Sequence, residues 1–71
     1  MRIYLKELRN KFQLTQEETA NRLGISQNYY SMIEKGERQQ NMQIDFLKNL
    51  AKVFNVSIDW VIKQENKLET R

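Results

Sequence analysis

Thr15 to Gly36 reads TQEETANRLGISQNYYSMIEKG, and its punctuation decides the fold. Thr15 followed three residues on by Glu18 is a capping box. The hydroxyl accepts a first-turn amide, and the carboxylate reaches back to the Thr15 amide. Glu17 and Glu18 also sit where the helix dipole favours anions. Thr19, Ala20 and Leu23 form the inward stripe of this helix, and Gly24 ends it in the left-handed conformation that glycine adopts without penalty. Only Ile25 and Ser26 separate that glycine from the next helix. Ser26 is a good N-cap, and Ile25 is placed to staple against Tyr30 one turn in. The second helix of the pair runs about Gln27 to Lys35, and Gly36 closes it in the same way. Both glycines of the chain therefore terminate consecutive helices.

Working outward, Leu5, Leu8 and Phe12 recur at helical spacing and predict a helix over about Arg2 to Phe12. A polar loop from Glu37 to about Asn41 leads to a fourth helix. Its stripe is Ile44, Leu47, Leu50, Ala51 and Phe54, with Lys48, Asn49 and Lys52 outward. Ser57 caps a short fifth helix carrying Ile58, Val61 and Ile62. Lys63 to Arg71 holds one apolar side chain, Leu68, and is expected to form a polar tail. The expected architecture is all-α: a compact five-helix domain over residues 1–62, the helix-turn-helix at about 16–35, and the tail at 63–71. Two glycines and no proline are too few for the turns of an all-β fold.

Composition removes most chemistries. Seventy-one residues allow one domain, and a domain of this size buries only about 60% of its unfolded surface. There is no cysteine and no histidine. Disulfides, thiolate nucleophiles, Ser-His-Asp catalysis, and zinc or iron centres built on soft or imidazole ligands are excluded. The expectation is a binder, not an enzyme, with no catalytic residues, no metal site and no cofactor. Apolar runs of four residues or fewer fall far short of the ~20 needed to cross a bilayer. Arg2 and Lys6 bracket only Ile3-Tyr4-Leu5, so no signal peptide is expected. A cytoplasmic protein with no membrane role is expected, and the apolar face of the fourth helix is assigned to the core instead of a membrane surface. Net charge is +3, which permits an anionic partner without demanding one. Seven glutamines and seven asparagines supply an unusual load of neutral donor-acceptor amides.

A three-residue link containing glycine forces two helices to cross steeply, so one can lie across a DNA backbone while the other enters the major groove. On the helix from Gln27, the outer stripe is Gln27, Asn28, Ser31, Met32 and Lys35, at i, i+1, i+4, i+5 and i+8. It is short, polar and nearly uncharged. Glutamine or asparagine pairs bidentately with adenine N6 and N7, and Met32 offers apolar contact to a thymine methyl. Gln27, Asn28, Ser31 and Met32 are therefore the candidate base readers. Flanking phosphate contacts are expected from Gln16 at a helix N-terminus, from Lys35 and Arg38, and from main-chain amides of Gln39, Gln40 and Asn41. Tyr30 reads as core. Tyr29 is either a solvated edge residue or a hydroxyl donor to phosphate.

The stretch Thr15–Gly36 resembles the helix-turn-helix of Cro/CI-type (XRE-like) bacterial and phage repressors. The likeness extends over about residues 2–62, including Leu8-Arg9 before the motif and Val56-Ser57-Ile58-Asp59-Trp60 after it. It implies a lambda-repressor-like fold, transcriptional regulation and double-stranded DNA as partner. One recognition helix reads only a few base pairs, so a homodimer on a palindromic operator is expected. By the same likeness Gln16 anchors its helix to phosphate, Gln27, Asn28 and Met32 read bases, and Arg9 and Glu34 form an inward ion pair. An exposed Arg9–Glu34 pair is the alternative. The chain departs from the pattern at Gln40, where a proline is often found, and at Gln13, where a glycine is common. Dimerisation is expected through Trp60, Val61 and Met42, with Trp60 equally able to plug the core edge. A second reading is a protein-binding module, such as an antitoxin, with a protein partner and secondary DNA binding.

Overall fold

The computed structural model describes residues 1–69 and contains five helices: α1 (Ile3–Lys11), α2 (Gln16–Leu23), α3 (Gln27–Lys35), α4 (Ile44–Val53) and α5 (Ile58–Glu69). No strand forms among the described residues. The capping box forms in full: the Thr15 hydroxyl accepts from the Glu18 amide at 3.0 Å, and the Glu18 carboxylate accepts from the Thr15 amide at 2.9 Å. These bonds hold the exposed Glu18 carboxyl below the usual carboxylate range. Ser26 and Ser57 cap α3 and α5 by accepting from the amides of Tyr29 and Trp60. Gly24, at φ 74°, closes α2 with paired bonds from the Gly24 amide to Asn21 and from the Ile25 amide to Ala20. Gly36, at φ 85°, repeats the device on α3.

Two further helices end in this way without a glycine. Gln13 (φ 57°) follows α1 and Asn55 (φ 53°) follows α4. In each, the next amide reaches back as at Gly24: Leu14 to the Arg9 carbonyl at 2.8 Å and Val56 to the Ala51 carbonyl at 3.0 Å. The substitution at Gln13 thus preserves the turn geometry and places a full side chain in it.

The core gathers Leu5, Leu8, Leu14, Ile33, Leu47, Leu50, Phe54 and Val61 from every helix but α2, which contributes the buried Thr19 and Ala20. Ile44 is a correction to the expected α4 stripe, since it is 54% exposed. It is the first helical residue, and a side chain there tilts toward the helix N-terminus and off the end of the packed face. Phe12, the C-cap of α1, is likewise 43% exposed and meets the core in a tilted contact with Phe54. The largest difference is at the C-terminus. Where a polar tail is expected from Lys63, α5 continues to Glu69, with Glu65 and Leu68 partly buried. Thr70 and Arg71 of that expected tail lie outside the described residues.

Candidate nucleic-acid interface

Helices α2 and α3 are joined by Gly24-Ile25-Ser26 alone. The two faces of α3 differ sharply. Tyr30 and Ile33 are fully buried and Glu34 is 3% exposed, whereas Gln27, Asn28 and Lys35 are exposed. Ser31 and Met32 are half-buried, so the outer stripe is fully open at its N-terminal end and recedes toward the middle of the helix. That end is the part of a recognition helix that meets base edges in helix-turn-helix docking.

The inner face is fixed by charge. Arg9 of α1 donates through Nε to Glu34 Oε2 at 2.5 Å and through Nη2 to Oε1 at 3.3 Å. Its Nη1 donates to the Leu14 carbonyl at 3.1 Å. The side chains of Arg9 and Glu34 are 11% and 4% exposed, so the inward arrangement holds and the exposed one does not. Burial by itself raises the Glu34 carboxyl, but hydrogen bonds from Arg9 and Gln16 and the adjacent Tyr30 hydroxyl outweigh it and hold Glu34 below its ordinary range. The bond to Glu34 correspondingly raises the Arg9 guanidinium. Burial, then the Glu34 carboxylate, drives the Tyr30 phenol far above its ordinary range, so it is a neutral filler.

Gln16 joins this cluster. Its Nε2 donates to Glu34 Oε1 at 3.0 Å, which orients the carboxamide at the first turn of α2. The same three residues, Arg9, Glu34 and Gln16, therefore connect α1, α2 and α3. Tyr29 is half-buried, and its hydroxyl accepts from Gln39 Nε2 at 3.0 Å. The Gln39 carboxamide faces inward on Tyr29, leaving the Gln39 main chain as the part that a phosphate contact would use. Arg38, Gln40 and Asn41 are exposed on the loop beyond α3.

The residues expected at a dimer interface separate. Val61 is 1% exposed and belongs to the core, so it offers no surface to a second copy. As a residue of the inner α5 stripe, it points into the bundle. Trp60 packs edge-on against Tyr4, with ring centroids 5.9 Å apart, and stays half-buried. Met42 is half-buried beside Leu47 and Ile62, along a shallow cavity of about 220 Å³ that also reaches Gln40, Glu65 and Asn66.

One cluster has no forerunner in the sequence reading. Arg2 is 2% exposed, and its guanidinium forms a two-point ion pair with Glu65 of α5, Nε to Oε2 at 2.8 Å and Nη2 to Oε1 at 3.0 Å. The Tyr4 hydroxyl also donates to Glu65 Oε2. Burial, then the bond to Glu65, raises the Tyr4 phenol far above its ordinary range. Arg2 and Glu65 stand 63 residues apart, and no local spacing rule links them.

No helix among the described residues is long and apolar enough to cross a membrane. No group of His, Cys, Asp and Glu among them is arranged to hold a metal ion.

A five-helix all-α domain that presents the outer face of the second helix of a tight helix-turn-helix defines the class. The helix-turn-helix family profile matches residues 5–61, and the chain belongs to this family as an XRE-like helix-turn-helix regulator. It is 34% identical over 73 residues to an uncharacterized HTH-type transcriptional regulator of Archaeoglobus fulgidus, covering the whole of both chains. It is also 34% identical over 62 residues to the uncharacterized HTH-type transcriptional regulator YqaE of Bacillus subtilis, covering 87% of this chain and 52% of that one. A second Archaeoglobus fulgidus regulator of the same description is 32% identical over 59 residues, covering 83% of this chain and 81% of its own. No solved structure matches the chain significantly.

Proposed function

We propose that the protein is a sequence-specific binder of duplex DNA that represses transcription as a homodimer, α3 reading a palindromic operator in the major groove. The observation that carries this reading is the division of α3 into an immobilised inner face and an open N-terminal outer end. Rigid support is what side chains need if they are to discriminate bases by hydrogen-bond geometry. Gln27 and Asn28 are the principal readers, with Ser31 and Met32 completing the surface. Gln16, Tyr29, Lys35, Arg38 and the loop amides of Gln39, Gln40 and Asn41 flank it as backbone contacts. The regulator names of the Archaeoglobus and Bacillus relatives point the same way.

The reading includes no enzymatic step and places the protein in the cytoplasm, where its DNA is. Its unit is residues 1–62 with the motif at 16–35, extended by the rest of α5. A nine-residue α3 is about 13.5 Å long and spans roughly four base pairs, too few to specify a site alone. Pairing of two copies supplies the rest, with Trp60 and Met42 on the pairing side.

Selection of bound fragments from random duplex DNA tests the proposal. It should return a two-fold symmetric motif. On that motif Gln27→Ala should lose about 1–3 kcal/mol, with a much smaller loss on random DNA. Equal losses on both would make Gln27 a backbone contact. Recovery of no motif, with a second polypeptide co-purifying instead, would favour the protein-binding alternative.

A further inference from the structure

Arg2 has five N–H donors, and each has an acceptor within the fold. Beyond its two bonds to Glu65, Nη1 donates to the carbonyl of Ile33 at 2.7 Å and to that of Arg38 at 2.9 Å, while Nη2 donates to the carbonyl of Gln39. The Arg2 main-chain amide adds a bond to the Glu34 carbonyl at 2.7 Å. The residue therefore closes the C-terminal end of α3, where carbonyls lack helical partners and a cation is favoured. It then continues onto the loop that follows.

The orientation of that loop follows from peptide geometry. In a planar trans peptide the N–H of one residue points opposite to the C=O of the residue before it. With the Arg38 and Gln39 carbonyls drawn inward onto Arg2, the amides of Gln39 and Gln40 point the other way, out of the domain. Gln39 holds φ 55°, a conformation that non-glycine side chains rarely adopt. Its carboxamide is fixed at both ends, donating to the Tyr29 hydroxyl and accepting from the Gln43 amide at 3.5 Å.

We propose that Arg2, held by Glu65, is a positioning residue for DNA binding: it aims the Gln39 and Gln40 amides and the Arg38 side chain at a backbone phosphate beside the recognition helix. This rests on the DNA-binding reading of α3 and assigns the flanking contact to a device reaching across the domain from α5. Arg2 is buried and does not itself touch DNA.

The test uses the full chain and a duplex selected by it. In the wild-type protein, adding the duplex should shift the Gln39 and Gln40 amide resonances. Arg2→Lys, whose three N–H donors cannot serve Glu65 and three carbonyls together, should remain folded. It should bind about tenfold more weakly, in proportion to the fraction of loop still correctly set. Its salt dependence should be shallower by about one phosphate contact, with the preference conferred by Gln27 retained. Glu65→Gln carries the same expectation if Arg2→Lys does not fold. Phe54→Leu, which loosens the core at the end of α4 and lies in neither the loop nor α5, should leave affinity and salt slope unchanged at temperatures where it is folded. A wild-type chain that binds no selected duplex would remove the DNA-binding reading and this inference with it. Tight binding with unshifted Gln39 and Gln40 amides, or with a folded Arg2→Lys or Glu65→Gln variant of wild-type affinity and slope, would overturn this inference alone.

Discussion

At Gln13 and Gly24 the chain solves the same problem with different residues. Both sit just past a helix with positive φ, 57° and 74°. A non-glycine side chain costs about 1–2 kcal/mol in that region, partly offset by the greater freedom glycine has when unfolded. Gln13→Gly should therefore stabilise the domain by about 0.5–1 kcal/mol, raising the melting temperature by roughly 2–8 °C. Nothing lies within 4 Å of a Cβ added at Gly24, so Gly24→Ala should cost about 1 kcal/mol through conformation alone. Calorimetric melting of the two variants checks both signs; a shift in the same direction would contradict the shared geometry. Glu34 sets a larger effect. Removing one partner of a buried pair costs about 3–5 kcal/mol, against roughly 4–11 kcal/mol for a whole domain of this length. Glu34→Ala should accordingly be largely unfolded or melt far below wild type. The depressed Glu34 carboxyl also fixes a pH dependence. Its contribution is complete above the unfolded value of about 4.3 and is lost as pH falls through its lower folded value. Urea midpoints of Glu34→Gln should thus lie well below wild type at neutral pH and converge on it in acid. Parallel curves would show that Glu34 is not held ionised.

At the scale of elements, what was legible in the sequence was local. The bounds of α2 and α3 follow from Thr15 with Glu18, Ser26, Gly24 and Gly36, because each of these signals acts within about four residues. The reading end of α3 was legible for the same reason, as a polar stripe on one helix. What stayed hidden depends on distant partners. Glu65 looks like solvated charge in a polar stretch until Arg2 and Tyr4, from the other end of the chain, close on it. Local spacing likewise could not separate Val61 from Trp60, both expected at a dimer interface, because neighbouring residues on a short helix lie only about 100° apart. The structure buries Val61 completely and lays Trp60 on Tyr4 at the rim. The extension of α5 gives a direct check. A chain ending at Ile62 loses Glu65 and Leu68, leaving the Arg2 guanidinium without its carboxylate. It should be destabilised by about 1–3 kcal/mol in denaturant titrations, the usual cost of unpartnering a charged hydrogen bond. A tail without structure would be removed at no cost.

At the scale of the whole molecule, charge and size constrain how DNA is bound. Twelve cations against nine anions leave +3 on each copy, and the outer face of α3 carries only Lys35. For the proposed dimer, affinity from counterion release should then be modest, about 4–6 phosphates and a salt slope near −4 to −5, which leaves discrimination to the neutral amides. Two recognition helices related by a two-fold axis should enter successive major grooves about 34 Å apart. The longest extent of one copy is 29 Å, so a single copy cannot occupy both half-sites. Spacing then becomes the decisive variable. Inserting about five base pairs between half-sites turns one of them to the opposite side of the duplex, and inserting about ten restores the face but stretches the separation. Affinity in a mobility-shift titration should fall to that of an isolated half-site on the first insertion. It should stay low on the second, because a dimer rigidly paired as proposed cannot follow the added length. Undiminished binding at either spacing would mean that each copy recognises its half-site independently.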